Sequence, residues 1–350
     1  MANVLRSRIE AAGAQLVFSL PRPLRRLIAG RPIRVDGQEL ALDAQLLLRL
    51  QQLAGVAMAK ETPELARQML AESAHLVSGR PIEPIATREL VIPDEHGGVP
   101  TTLYTPEGLP ENSGLLVFFH GGGWVIGTRA SHDNAARFLA KHAGVRVLSV
   151  EYRLAPEHPF PAATEDAIAA FDYAYAKAKD LGADPERIAV GGDSAGGNLA
   201  AVVSQVTTGR GGPSPAFQLL FYPGVDASVR RRSRELFGNG FFLTDTDMTW
   251  FLNHYAPEGV DRTDPRLSPL LAKDFSGQPP AYIATAGFDP LRDEGEAYGE
   301  KLREAGVPVT VSRQADLFHG YINFLGIGTR FREATAEAAG ALRVGLSGVK

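Results

Sequence analysis

The 350-residue sequence predicts an α/β fold, a mostly parallel central sheet flanked by helices. Two observations carry that expectation. Short runs dominated by Val, Leu, Ile, Phe and Ala, such as 114–120 (GLLVFFH) and 281–287 (AYIATAG), read as strands buried on both faces. From residue 131 onward such runs alternate with longer segments of helical character, the pattern of β-α-β units.

In chain order, residues 40–79 read as helices, with Leu42, Leu46, Leu50 and Leu53 forming one apolar stripe. The stretch SGRPIEP (78–84) breaks that pattern. Strands are expected at 88–94, 100–106, 114–120, 145–152, 187–192, 217–223, 281–287 and 307–313. The first two carry polar interruptions and read as an antiparallel edge. Helices are expected at 131–142, 162–180, 195–208, 291–305 and 329–345. Residues 225–275, rich in aromatics and charges, read as an insertion between a core strand and its helix.

Composition sets bounds on function. A net charge of −4 gives no basic field for nucleic acid. The sequence has no cysteine, which removes disulfides, thiol catalysis and Cys-based zinc sites. No apolar run is long enough for a spanning helix, and the first 30 residues lack a signal-peptide pattern, so stable membrane insertion is not expected and the expected location is cytoplasmic. Arg22, Arg25 and Arg26 beside Leu24, Leu27 and Ile28 read as a solvated arm or part of a lid.

The segment RIAVGGDSAGGNLAAVV (187–203) holds a serine where strand turns to helix, with glycines on both sides. Gly192-Asp193-Ser194-Ala195-Gly196 fits G-x-S-x-G. A nucleophile on such a turn has strained backbone, and side chains two residues away on either side would collide with strand or helix. A phosphate loop is excluded, because the glycine spacing is not G-x-G-x-x-G and no Lys-Ser/Thr pair follows. A purely structural glycine-rich turn remains the alternative on this motif alone.

A serine hydroxyl needs a base and an orienting carboxylate, which in this architecture follow in the order Ser, Asp/Glu, His. Only His319 follows residue 254. It lies beyond the strand 307–313. Asp289 lies just past the strand 281–287, while Asp293 and Glu294 compete from inside the following helix; Asp289, at the strand tip, is preferred. The other histidines, at 75, 96, 120, 132, 142, 158 and 254, satisfy neither this order nor metal-helix spacing, so no metal site is expected.

Residues 118–127 (FFHGGGWVIG) follow the strand 114–120. Acyl transfer develops an oxyanion, and glycines let backbone N–H groups approach it closely. Gly122 and Gly123, with Ala195 after the serine, are the expected donors. His120 is read as shaping this loop through a hydrogen bond rather than moving protons.

HGGGWVIG (120–127), YRLAPEHPFPAA (152–163), GGDSAGGNLAA (191–201) and DPLRDEG (289–295) together resemble the hormone-sensitive-lipase family of α/β-hydrolases, in its bacterial esterases of GDSAG type. The resemblance runs from about residue 85 to the C-terminus. It implies an α/β-hydrolase fold in which residues 1–84 form an N-terminal helical cap segment, and 85–350 the catalytic domain with a further cap insertion at about 225–275. It implies Ser194 as nucleophile, Asp289 as orienting acid and His319 as general acid/base, with Gly122, Gly123 and Ala195 as the oxyanion hole. The expected activity is cofactor-independent hydrolysis of short-to-medium acyl esters through an acyl-enzyme. The alternatives are amide or lactone hydrolysis on the same triad, or a non-catalytic small-molecule-binding relative. Trp124, Tyr222, Phe241, Phe242, Trp250 and Phe251 are candidate walls of the substrate pocket, with a place in the core as the alternative for aromatics at these spacings. By the same resemblance a homodimer would form through the last strand and helix. Arg153 and Glu157 carry no chemistry derivable from sequence and read as structural partners near the catalytic floor.

Overall fold

The structure, a computed structural model, describes residue 13 and residues 16–54, 62–94 and 96–347. Expectations for residues 1–12 and 55–61 fall outside the described residues. The chain opens with α1 (Arg22–Ala29), a two-stranded hairpin of β1 (Arg34–Val35) and β2 (Gln38–Glu39), α2 (Leu42–Ala54) and α3 (Pro63–Val77). Then follow β3 (Ile85–Ile92), β4 (Val99–Pro106), β5 (Ser113–Phe119), α4 (Asp133–Ala143), β6 (Arg146–Val150), α5 (Ala162–Ala176), β7 (Ala183–Asp193), α6 (Ala195–Gly209) and β8 (Phe217–Phe221). After β8 come α7 (Arg232–Phe237) and α8 (Asp245–Tyr255), then β9 (Ala281–Phe288), α9 (Arg292–Glu304), β10 (Val309–Phe318) and α10 (Arg330–Gly345).

Eight strands form one sheet in the order β10-β9-β8-β7-β5-β6-β4-β3. From β6 to β10 all neighbours are parallel, while β3 and β4 add an antiparallel edge. Every residue of β5, β6, β8 and β9 is buried, as strands covered on both faces require. The two faces separate cleanly along β5. Leu115, Val117 and Phe119 join the core that includes α5, α6 and α9, whereas Leu116 and Phe118 join the core that includes α4 and α10. Leu40, Ala44, Leu46 and Leu47, from the start of the chain, belong to this second core, so the N-terminal segment shares the sheet's interior.

The sheet order fixes where a site can form. From β5, the next strand β6 lies on one side and β7 on the other, so the order reverses between β5 and β7. A crevice opens outside the C-terminal ends of strands at such a switch point. The glycine-rich loop follows β5 and Ser194 follows β7.

Two differences from the sequence expectation bear on that edge. β10 runs to Phe318 rather than stopping at 313, because its pairing with β9 resumes at Phe318 and Phe288 after an irregularity; the polar Gln314 and Asp316 hide this continuation. His319 therefore follows directly on a strand, as does Asp289 after β9. The hairpin at 34–39 was also not expected. Asp36 (φ 53°) and Gly37 (φ 75°) form its turn, and the Asp-Gly pair was a readable signal for it.

Candidate active site

Ser194 sits between β7 and α6 at φ 57° and ψ −117°, a conformation that side chains other than glycine's rarely adopt. The glycines around it are there for close approach. A Cβ on Gly192 would stand 2.3 Å from the Phe119 carbonyl oxygen, and one on Gly196 would stand 1.9 Å from the same atom. The Ser194 N–H donates to the Phe221 carbonyl at 2.9 Å, and its own carbonyl accepts from Asn198 at 3.0 Å. The turn is thus tied to the end of β8 and to the first turn of its own helix, α6.

Three strand ends bring three side chains together. The Ser194 Oγ lies 2.9 Å from His319 Nε2, and His319 Nδ1 lies 2.8 Å from Asp289 Oδ2. Since an ionised carboxylate only accepts, Nδ1–H donates to Asp289 and Nε2 is left to accept the Ser194 hydroxyl. Asp289 is fully buried, and its other oxygen accepts from the Leu291 N–H at 2.8 Å. Its two competitors point elsewhere. Asp293 accepts from the Ser233 N–H at 2.7 Å and from Arg292 Nε at 2.9 Å. Glu294 accepts from the N–H groups of Val225 and Asp226 at 2.8 and 3.2 Å, and burial pushes its carboxyl up to about 8.

The loop after β5 faces the serine turn. Gly122 (φ 119°) and Gly123 (φ 60°) take conformations suited to glycine. The N–H groups of Val125 and Ile126 both donate to the Gly122 carbonyl, at 3.1 and 2.9 Å. Among the described residues, no protein acceptor takes the N–H of Gly122, Gly123 or Ala195, and Ala195 opens α6 at its positive dipole end.

The side chain just before the serine turns back to this loop. Asp193 Oδ1 accepts from the Gly121 N–H at 2.8 Å, and His132 Nε2 is 3.4 Å away. His120 Nδ1 is 2.8 Å from the Gly121 carbonyl, and its ring stacks on Tyr152 at 4.3 Å. Burial drives the His120 pKa down to about 4, so the ring is neutral and serves the loop's shape.

The expected pocket residues have separate placements. Trp124 stacks on Tyr255 of α8 at 4.5 Å with the two rings almost parallel. Phe242 touches Gly320 beside the histidine and stacks on Phe318, whereas Phe241 packs on Phe237 and Phe288. Tyr222, expected as a pocket wall, instead lies fully buried with its ring 4.6 Å from that of His319, and its hydroxyl accepts from the Ile322 N–H at 3.4 Å. Its aromatic bulk fills the floor under the imidazole. Phe251 of α8 covers Gly123 so closely that a Cβ there would stand 2.2 Å from the ring.

A family profile described as alpha/beta hydrolase fold matches residues 116–323, which span the serine turn, both partners and the glycine loop. The chain is 44% identical to the carboxylic ester hydrolase LipN of Mycobacterium tuberculosis over 96% of its own length and 92% of that protein. The chain belongs to the α/β-hydrolase family. Within that family it is of the hormone-sensitive-lipase type. This α/β-hydrolase is also 39% identical to an ethyl acetate hydrolase of Pseudomonas putida, over 77% of this chain and 85% of that one. Among solved structures it is similar to a thermostable esterase from Pseudomonas putida, with a TM-score of 0.83, 33% identity, and coverage of 89% of this chain and 99% of that one.

Several residues around the hydrolase site carry no motif. Arg67 and Tyr255 reach it from distant segments with nothing in their local sequence to mark them, and Tyr152 opens the YRLAPEHPFPAA stretch, for which the sequence suggests no role. Arg153 and Glu157 do not pair with each other. Arg153 Nη2 binds Asp166 at 2.7 Å, and Glu157 binds Arg67 at 2.7 Å. In the N-terminal segment, Arg25 pairs with Asp43 and Arg26 Nη1 donates to Gln45 at 3.0 Å, which turns two of the three arginines inward. Among the described residues, no group of three His, Cys, Asp or Glu side chains could hold a metal ion, and no helix is long and apolar enough to cross a membrane.

Proposed function

We propose that this hydrolase is a serine carboxylesterase that cleaves small-molecule esters through an acyl-enzyme on Ser194. The observation that carries the reading is one arrangement. A Ser194–His319–Asp289 hydrogen-bonded chain faces the N–H groups of Gly122, Gly123 and Ala195 across the switch point of the sheet.

The chemistry follows from the geometry. His319 Nε2 takes the Ser194 proton as Oγ attacks the ester carbonyl carbon, and Asp289 stabilises the imidazolium through Nδ1. The carbonyl oxygen becomes an oxyanion that the three N–H groups receive; one such donor is worth about 3–4 kcal/mol in the transition state. His319 then gives its proton to the departing alkoxide. Water attacks the acyl-enzyme by the same route in reverse and frees the acid. Every step is served by side chains and amides of this chain, and none calls for a cofactor.

Phe251 over Gly123 and Phe242 beside His319 crowd the site from the segment between β8 and β9, which acts as a cap together with the N-terminal helices. That crowding supports a preference for acyl chains of roughly two to eight carbons, an analogy with the family. β10 is the outer strand of the sheet, and the part of it left uncovered by the N-terminal segment, which bonds it at Asp316, together with α10 is the surface for a homodimer.

The direct test is Ser194→Ala assayed on p-nitrophenyl butyrate and with a fluorophosphonate label. The variant should keep the wild-type circular dichroism and lose both turnover and labelling. Full turnover in Ser194→Ala would overturn the proposal.

A further inference from the structure

Arg67 lies outside the segment matched by the family profile and outside every motif, yet its guanidinium reaches the loop that faces Ser194. Its helix, α3, begins at Pro63 under a Thr62 cap, and the neighbouring Ala66 is fully buried in the same core as Trp124, Val125 and Ile126. From this anchored first turn Arg67 donates in three directions. Nε donates to the Val125 carbonyl at 2.8 Å, Nη2 to the Ala155 carbonyl at 2.8 Å, and Nη1 and Nη2 to the Glu157 carboxylate at 2.8 and 2.7 Å.

Peptide planarity converts those bonds into a direction at the reacting centre, because each carbonyl and the following N–H point opposite ways on one rigid plane. Arg67 holds the Val125 carbonyl, and the same peptide plane sends the Ile126 N–H to the Gly122 carbonyl at 2.9 Å. The Ala155 N–H holds the Trp124 carbonyl at 2.9 Å, and that plane sends the Val125 N–H to the same Gly122 oxygen at 3.1 Å. With the Gly122 carbonyl held twice, the plane it shares with Gly123 has one orientation, and the Gly123 N–H is aimed away from the turn.

We propose that Arg67, held by Glu157, is a positioning residue that fixes the 122–126 turn and so aims the Gly123 N–H at the developing oxyanion. This rests on the esterase reading above. It also gives a task to Glu157 in the otherwise unexplained YRLAPEHPFPAA stretch: hydrogen bonds from Arg67 hold the Glu157 carboxyl down at about 2, so the pair stays ionised at working pH. The N-terminal segment thereby sets how strongly the site stabilises its transition state.

The experiment compares wild type, Arg67→Ala, Arg67→Lys and Glu157→Gln on a soluble p-nitrophenyl ester, together with inhibition by a trifluoromethyl ketone, which forms a tetrahedral oxyanion on the serine. In Arg67→Ala, kcat should fall at least about tenfold with KM within about twofold, and the ketone inhibition constant should rise by the factor that kcat/KM falls. Arg67→Lys and Glu157→Gln should show smaller, parallel changes, and they carry the comparison if Arg67→Ala does not fold. A folded Arg67 variant with wild-type kcat, or one that loses kcat while the ketone binds as before, would overturn the inference. A wild-type protein that hydrolyses no ester and takes no fluorophosphonate label would instead remove the esterase reading, so the two failures are distinguishable.

Discussion

Gly196 rests directly on Phe119: a Cβ at 196 would stand 1.9 Å from the carbonyl oxygen of the last residue of β5. The helix that carries the serine and the strand that launches the glycine loop are therefore in backbone contact. Neither side can yield, since both contacting groups are main chain. Gly196→Ala should destabilise the protein by about 1–3 kcal/mol or prevent folding, read as a lowered urea midpoint, and any folded fraction should have reduced kcat. An alanine variant of wild-type stability and rate would mean that the contact is looser than described.

The backbone of Ser194 is held at φ 57° and ψ −117°, which the proposed mechanism requires only for the placement of its hydroxyl. Glycine adopts that conformation without steric cost. Ser194→Gly should abolish turnover while its thermal midpoint stays at or above that of wild type, because strain of order 1–3 kcal/mol is released. A clear fall in the midpoint would argue that the turn is not strained.

Asp289 and Asp293 are four residues apart, and only the first touches His319. Asp289→Asn should lower kcat by roughly 10³–10⁴-fold, since an amide no longer fixes the tautomer that leaves Nε2 accepting. Asp293→Asn, which alters bonds to Ser233 and Arg292, should stay within about tenfold of wild type. Steady-state rates on one ester decide between them, and the reverse pattern would reassign the acid.

This pair also marks how far the sequence could be read. Ser194, Asp289, His319 and the glycine loop were legible because each stands at a strand end with a composition that chemistry or sterics demands. The parallel sheet was legible because strands buried on both faces leave continuous apolar runs, and β5 is the clearest case. Tyr222 was misread as a pocket wall, since an aromatic beside a strand end looks the same whether it faces a ligand or supports a histidine. Arg67 was not legible at all. Its partners lie 58 and more positions away, and a surface helix of ordinary polarity gives no sign of them.

Phe251 covers Gly123 from α8, so its ring limits the space above the glycine loop. Phe251→Ala should raise the ratio of kcat/KM for p-nitrophenyl octanoate over butyrate several-fold, at a stability cost of about 3 kcal/mol. An unchanged ratio with the expected loss of stability would make the ring a packing element only.

Glu294 is buried, and its carboxyl is pushed up to about 8 from an ordinary value of 4.5, chiefly by desolvation, against the hydrogen bonds from the Val225 and Asp226 N–H groups; the Asp226 charge adds to the rise and Arg231 opposes it. The folded state therefore holds this proton more tightly than the unfolded chain does. Its stabilising contribution is complete below the unfolded value and is lost as pH rises through about 8. Glu294→Gln mimics the protonated form, and its thermal midpoint should decline less than that of wild type between about pH 5 and pH 8. Parallel pH profiles for the two proteins would contradict this assignment.

Asp193, Ser194 and Ala195 are consecutive, and the first of them grips Gly121 at the root of the opposite loop. In the proposed mechanism the attacking oxygen, one anion donor and the tether to the remaining donors thus travel on a single tripeptide. When the sheet edge fluctuates, these parts move as one body, and the alignment needed for bond making survives motions that would misplace independently mounted groups.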